Sequence, residues 1–300
     1  MIYSVIGTGA VGGYYGGRLA NAGKEVHFLF HSDYQYVCEH GLQVNSCNGD
    51  FHIANVNAYN DTARMPKSDV VLVALKSVNE ALLYKLLPPL LHPDTLVLLI
   101  QNGIGLEQDL VQALPGVAAA AGLAFICSSK TKPGVVDHQC YGSINIGNYN
   151  CKKPQIISQL IDDLQQSGVD AHEVEYHEAR WRKAVWNMPF NGMSVVKKAN
   201  TQELLAQYGS LIYDQMREVI DAANALGVKN LDYTFADKMM EMTRAMVPYL
   251  PSMRLDYDHH RPMEIYYLYT RPIEEARKAG FEMRLCAEVE RELQVSTDTQ

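Results

Sequence analysis

An α/β domain followed by an all-α domain is the fold class predicted by this 300-residue sequence, and three observations predict it. A short apolar strand, residues 2–6, runs straight into a glycine-rich turn and a helix. Continuous apolar runs at 69–75 and 95–100 then alternate with helical periodicity, the pattern of strands buried on both faces of a parallel sheet. Past Tyr176 the strand signals stop and helical periodicity carries on to the end. The boundary follows at 175/176, giving domains of residues 1–175 and 176–300.

The opening turn has the spacing G-x-G-x-x-G at Gly7, Gly9 and Gly12. Gly7 permits the tight turn off the strand, Gly9 lets the backbone approach a pyrophosphate, and Gly12 lets the helix sit close on the sheet. Glycines cluster in many turns, so the context carries the specificity. A strand precedes this one, a helix with the apolar face Ala10, Val11, Tyr14, Tyr15 and Leu19 follows, and a second apolar strand comes at 26–30. A pyrophosphate would rest on the helix N-terminus, where free N–H groups and the dipole favour an anion. The first domain therefore reads as a Rossmann-type dinucleotide-binding domain, with Gly7, Thr8, Gly9, Ala10, Val11 and Gly12 at the cofactor.

The remaining elements follow in order. A short helix is expected at 34–40, and two alternating segments around Asn48-Gly49 form a hairpin. The strand at 69–75 has Lys76 at its C-terminal end; a helix at 78–91 is closed by His92-Pro93; the strand at 95–100 ends in Gln101-Asn102-Gly103. Ligands of an open parallel sheet bind beyond the carboxyl ends of its strands, so Gly7, Lys76 and Asn102 are expected to face one crevice. Short antiparallel strands occupy 117–147, with turns at Pro133-Gly134 and Gly142, before a helix at 154–167 and a strand at 171–174. The second domain carries helices at 178–196, 202–207, 211–226, 235–245, 261–279 and 283–293, and the tail 296–300 reads as disordered.

Composition excludes several function classes. The net charge is −8 and Lys and Arg do not cluster, which argues against a nucleic-acid or anionic-membrane surface. The six cysteines, at 38, 47, 127, 140, 151 and 286, form no C-x-x-C pair and no metal-ligand spacing, so reduced thiols are expected. No apolar run reaches membrane-spanning length and Met1 leads directly into the first strand, so the expected compartment is the cytoplasm.

The second domain holds the candidate chemistry. Lys183, Asn187 and Asn191 are spaced four and four apart and project from one helix face. Spacing alone fits a solvated face. Against that stand the apolar surroundings, Trp181, Trp186, Met188 and Phe190, and two asparagines in a helix interior where they are poor helix formers. A second cluster, Ser252, Asp256 and Glu264, lies in PSMRLDYDHHRPMEI. A metal site from Asp256, Asp258, His259 and His260 is rejected for want of a ligand frame such as H-E-x-x-H, which leaves a polar loop leading into the helix near Arg261.

These residues carry a resemblance to the ketopantoate reductase (2-dehydropantoate 2-reductase) family that runs nearly end to end. The matching pieces are G-x-G-A-V-G, VALKS at 73–77, IQNGIGLEQDL at 100–110, KPGVV at 132–136, RWRKAVWNMPFNG at 180–192, NTQELL at 200–205 and PSMRLDYDHHRPMEI at 251–265. The resemblance implies an NADPH-dependent hydride transfer to the keto carbon of a 2-keto acid in a cleft between two domains, on the route to pantothenate and coenzyme A. It places the catalytic lysine on Lys183 and its partner carboxylate on Glu264. Asn102, Asn187, Asn191 and Ser252, with Asn200 and Asp256 beside them, fall on substrate-contacting positions, and Lys76, Asn102 and His31 fall at the cofactor. Chemistry agrees: an ammonium at Lys183 stabilises charge growing on the keto oxygen and then donates a proton. Burial would lower its pKa while Glu264 would raise it, and the sequence does not say which wins.

The chain departs from the family pattern in four places. His31, followed by Ser32 and Asp33, stands where an Arg usually meets the 2′-phosphate of NADPH; an acid in this region can instead bind a ribose hydroxyl of NAD, so NADPH is the first choice and NADH the alternative. Gly192 stands where Pro is common, while Pro189 between the two asparagines is expected to kink the helix. Tyr266 replaces a frequent acid, and Tyr269-Thr270 replaces a common Asn-Gly or Leu-Gly; Tyr257, Tyr266, Tyr267 and Tyr269 are expected to pack between helices, with reshaping of the pocket as the other option. Three readings follow: a ketopantoate reductase, a paralogue acting on another branched or bulky 2-keto acid, or a nucleotide-binding sensor without turnover. The pair Lys183 and Glu264 speaks against the last. A monomer and a homodimer are both compatible with the helical domain.

Overall fold

The computed structural model describes residues 1–298. Contacts divide them into two compact units, residues 1–101 with 106–176, and residues 102–105 with the chain from His177 onward.

The first unit is built on one mixed sheet. In chain order it contains β1 (Ile2–Ile6), α1 (Ala10–Asn21), β2 (Glu25–Leu29), α2 (Tyr34–His40), β3 (Leu42–Ser46), β4 (Phe51–Ile53), β5 (Asn57–Tyr59), β6 (Val70–Val73), α3 (Glu80–Leu86), β7 (Leu96–Leu99), α4 (Leu106–Ala113), β8 (Ala118–Lys132), β9 (Val135–Asn148), α5 (Pro154–Gln166) and β10 (Ala171–Val174). The strand order is β4-β3-β9-β8-β7-β6-β1-β2-β5, with β10 on β9. β1, β2, β6, β7 and β8 pair in parallel, which puts the ends of β1, β2 and β6 on one edge. Val70–Val73 and Leu96–Leu99 are buried throughout, the burial that their unbroken apolar runs required.

Several expected elements take a different form. The helix expected at 78–91 stops at Leu86 and yields to a 3₁₀ turn at Pro88–Leu90, because two successive prolines cannot continue an α-helix. The short strands expected at 117–147 are two long antiparallel ones, β8 and β9. Gly142, expected as a turn, is the extra residue of a bulge between Ser143 and Tyr141.

The helical unit contains most of α6 (Tyr176–Val196), then α7 (Thr201–Ala225), α8 (Tyr233–Ala245), α9 (Ser252–Asp258), a π-helical turn (Tyr266–Thr270), α10 (Arg271–Lys278) and α11 (Arg284–Asp298). Its core gathers Val185, Met188, Phe190, Leu204, Met216, Ile220, Tyr269 and Leu293. The two helices expected at 202–207 and 211–226 are the two arms of α7, which join at a kink where Tyr208 leaves helical geometry (φ −130°, ψ 20°). The polar loop expected around 252–260 holds α9. The helix expected at 261–279 begins as the π turn and becomes α10. Residues 296–298 of the expected disordered tail are the last residues of α11, and 299–300 lie outside the described residues. Among the described residues no helix is long and apolar enough to cross a membrane.

Candidate active site

The glycine turn is held by its neighbours' backbone. Gly7 has φ +90°, and a Cβ there would lie 2.5 Å from the Leu75 nitrogen, just past the end of β6. At Gly12 a Cβ would lie 2.4 Å from the Gly7 carbonyl oxygen and 3.1 Å from Val5. Both positions therefore exclude any side chain for internal reasons. Gly9 differs: nothing lies within 4 Å of where its Cβ would be, and it caps α1 with no side-chain hydrogen bond to the first turn. A pyrophosphate fits that opening, because it needs both a bare backbone and uncapped N–H groups at a helix start. Thr8 donates its hydroxyl to the Leu29 carbonyl, 2.8 Å, which ties the turn to the end of β2. Ala10 and Val11, half-buried, open α1, and Lys76 is exposed in the segment that packs under Gly7.

At the end of β2, His31 and Ser32 are exposed while Asp33 is buried. The Asp33 carboxylate accepts hydrogen bonds from Lys130 on both oxygens, 2.9 Å each, and from the Gly134 N–H, 3.1 Å. Burial opposes its charge, but these donors outweigh it and hold the carboxyl below its ordinary value. Asp33 thus anchors the β8–β9 hairpin, a commitment that its place in the sequence does not reveal.

In the helical unit the row on α6 divides. Lys183 and Asn187 line a cavity of ≈ 10 Å³ with Gly103, Ile104, Arg180, Ala184, Tyr267, Leu268 and Pro272. Burial, helped by the Arg180 charge and opposed by Glu264, brings the Lys183 ammonium down to about 7. Burial therefore wins the contest that the sequence left open. Glu264 is itself buried. Arg180, 3% exposed and three residues before Lys183, is a wall of this cavity that the sequence reading missed; a charged residue one turn ahead of the lysine on the same face was the available signal.

Asn191 points elsewhere. Its amide donates to the Asn187 carbonyl at 3.0 Å, and its carbonyl oxygen accepts the Met253 N–H at 3.1 Å and the Ser252 hydroxyl at 3.3 Å. It therefore caps the start of α9 and brings Ser252 to α6. Asp256 is buried and accepts from Arg261 at 3.0 Å. Asn200 caps α7 in a reciprocal box, accepting from the Gln202 and Glu203 N–H groups while its own N–H donates to Glu203.

Two of the unusual residues in this chain explain each other. α6 continues through Pro189 as one helix. The Tyr269 hydroxyl donates to the Met188 carbonyl, and a Cβ at Gly192 would stand 2.0 Å from that hydroxyl oxygen. Gly192 is thus the space that Tyr269 fills. Tyr269 and Tyr267 are buried and Tyr257 packs at the helical core, whereas Tyr266 is 43% exposed, contrary to an interior place for all four. Tyr267 also lines the Lys183 cavity.

Asn102 belongs to this unit, not to the sheet whose strand precedes it. Gly103, at φ +122°, lies so close to Tyr267 that a Cβ would be 2.5 Å from the tyrosine Cβ, and the Ile104 N–H donates to the Tyr267 carbonyl at 2.9 Å. Those contacts set Asn102 beside the wall formed by Gly103 and Ile104. Among the described residues no group of three or more His, Cys, Asp or Glu side chains could hold a metal ion.

A family model described as ketopantoate reductase PanE/ApbA matches residues 3–150, and its C-terminal counterpart matches residues 175–294. The chain belongs to the ketopantoate reductase family. It is similar to a 2-dehydropantoate 2-reductase of Nostoc sp., 43% identical over 286 residues that make up 93% of this chain and 89% of that protein. Among solved structures it resembles a 2-dehydropantoate 2-reductase from Geobacter metallireducens, with a TM-score of 0.95 and 34% identity over 99% of this chain and 100% of that one. A 2-dehydropantoate 2-reductase from Methylococcus capsulatus gives 0.90 and 30% over 98% and 96%. The fold, a mixed sheet with helices followed by a helical domain, is that of the family, which uses NAD(P)H.

Proposed function

We propose that this chain reduces 2-dehydropantoate to pantoate with NADPH in the cytoplasm, residues 1–175 binding the dinucleotide and residues 176–300 carrying out the catalysis. The observation that supports it most is the half-buried lysine, poised at about 7, in a cavity shared with Asn187 and within the field of Glu264. The bound cofactor would supply the hydride that goes to the keto carbon. The open Gly9 and the first turn of α1 would hold its pyrophosphate, with Thr8, Ala10, Val11, His31 and Lys76 along its length.

The ammonium of Lys183 stabilises the charge growing on the keto oxygen and gives that oxygen its proton. A lysine near neutrality does both, since it is protonated often enough to donate and holds its proton weakly enough to release it. Glu264 keeps a share of the lysine charged before the reaction and helps it take up a proton afterwards. Asn102 and Asn187 orient the substrate as neutral donors and Ser252, whose proton goes to Asn191, as a neutral acceptor, which adds no second full charge beside Lys183. Asn191, Asp256 and Asn200 hold the frame around them through the contacts given above. NADPH is preferred over NADH in this proposal because the Asp33 carboxylate, the group suited to a ribose hydroxyl, is occupied by Lys130 and Gly134, while His31 and Ser32 are exposed.

The test is oxidation of NADPH, and separately of NADH, with 2-dehydropantoate beside a panel of other 2-keto acids. The expected result is a kcat/KM for 2-dehydropantoate and NADPH above every other pairing. Turnover confined to another keto acid would overturn the substrate, and cofactor binding with no turnover on any of them would overturn the activity.

A further inference from the structure

In the first unit, β8 and β9 place Cys127 directly opposite Cys140. The pair is bracketed by two bulges, one that leaves Gly142 unmatched and one that leaves Gln139 unmatched, so two aligned residue pairs stand alone between irregularities. Facing residues of an antiparallel pair have Cα atoms about 4.5–5.5 Å apart, inside the about 4.4–6.8 Å that a disulfide spans. The Cys140 thiol is near enough to act on that of Cys127, and both cysteines are free. We propose that Cys127 and Cys140 are a thiol-oxidation site, closing into a reversible cross-strand disulfide when the protein meets a low-molecular-weight disulfide such as glutathione disulfide.

The chemistry assigns an order to the two thiols. Cys140 is half-buried and Cys127 is buried. Burial and the neighbouring Cys140 push the Cys127 thiol up to about 12, so Cys127 is a poor first attacker. The Cys140 thiolate attacks one sulfur of the oxidant, forming a mixed disulfide and releasing one glutathione thiolate. Cys127 then attacks the Cys140 sulfur, forming the Cys127–Cys140 bond and releasing the second. Two protein thiols are oxidised by two electrons, the oxidant's S–S bond is reduced to two thiols, and the two protons pass to the released thiolates.

The site lies against α1. His138, two residues before Cys140, packs on the Tyr14 ring at 4.3 Å, and its Nε2 lies 3.2 Å from the Cys140 carbonyl oxygen and 3.1 Å from that of Tyr141. Its Nδ1 is 2.8 Å from the Ser46 hydroxyl and 3.8 Å from the Cys47 sulfur. Cys47 is exposed and is therefore the rival partner within the same cluster.

The experiment treats the intact protein with glutathione disulfide, alkylates the remaining thiols, and maps the peptides by mass. Expected are a species lighter by two hydrogen atoms, four of the six thiols still alkylated, a peptide joining Cys127 to Cys140, and full reversal by dithiothreitol. Cys127→Ser should stop the reaction at a glutathione adduct on Cys140, and Cys140→Ser should abolish the link. A Cys38→Ser, Cys47→Ser double variant, altered only at exposed sites, should keep it. A link through Cys47, or adducts confined to Cys38 and Cys47 with Cys127 and Cys140 still alkylated, overturns the proposal. The map on the unsubstituted protein decides this even if a buried substitution fails to fold.

Discussion

The turn at 7–12 and the row at 183–191 are both patterns of fixed spacing, and they behave differently. In the turn, all three glycines follow their spacing: two are crowded by backbone and one opens outward. In the row, three equally spaced polar side chains separate into two groups. Lys183 and Asn187 line the cavity, while Asn191, one turn further on, caps α9. Glycine spacing records local backbone geometry, which the chain carries with it. Polar side-chain spacing records only a shared helix face, and what that face meets depends on segments sixty or more residues away, as the Asn191–Met253 bond shows.

The largest expected effect tests the half of the row that lines the cavity. Lys183→Ala should lower kcat by about 10²- to 10⁴-fold while NADPH still quenches or shifts the protein's fluorescence with its original affinity; near-normal turnover would take Lys183 out of the reaction. The next separates the glycines. Gly7→Ala should lose more than about 2 kcal/mol of stability, through a positive φ and a clash with the β6 segment. Gly9→Ala should leave chemical denaturation unchanged but weaken dinucleotide binding by about tenfold or more, equivalent to about 1.4 kcal/mol. Equal stability loss in the two variants would mean that Gly9 is structural as well.

The structural half of α6 is tested at Gly192. Gly192→Ala should cost about 1–3 kcal/mol, because its methyl group needs the space of the Tyr269 hydroxyl. Adding Tyr269→Phe should restore part of that loss, and strictly additive unfolding energies would sever the link between the two residues.

The smallest effect concerns Arg180. With the lysine acting as proton donor, kcat/KM should fall as pH rises through about 7. Removing the nearby positive charge in Arg180→Gln should move that fall to higher pH, by about one unit or less. A fall that stays in place would show that Arg180 does not act on Lys183. The same lysine also affects stability: between about 7 and its unfolded value the unfolded chain binds more protons, so its contribution to stability rises with pH across that window.

Much of the first unit was legible because its signals are local. The apolar runs at β6 and β7, the Asn48-Gly49 hairpin and the strand-turn-helix at the start need only neighbouring residues to be read. The helical unit was less legible. Its helices were placed, but α9 was read as a loop because its first turn is capped by an asparagine from α6. The interruption between 207 and 211 was legible, because Tyr208 does leave helical geometry there.

By itself, the sequence determined the order of most strands and helices and the place of the glycine turn, since periodicity and glycine sterics are properties of the chain alone, and its resemblance to the family singled out Lys183 and Glu264. Tertiary structure decided the rest. It committed Asp33 to Lys130, turned Asn191 into a cap, fitted Tyr269 into the space at Gly192, and lowered the Lys183 pKa to about 7. Each of these depends on which distant groups come within a few ångströms, and on how much water their meeting excludes.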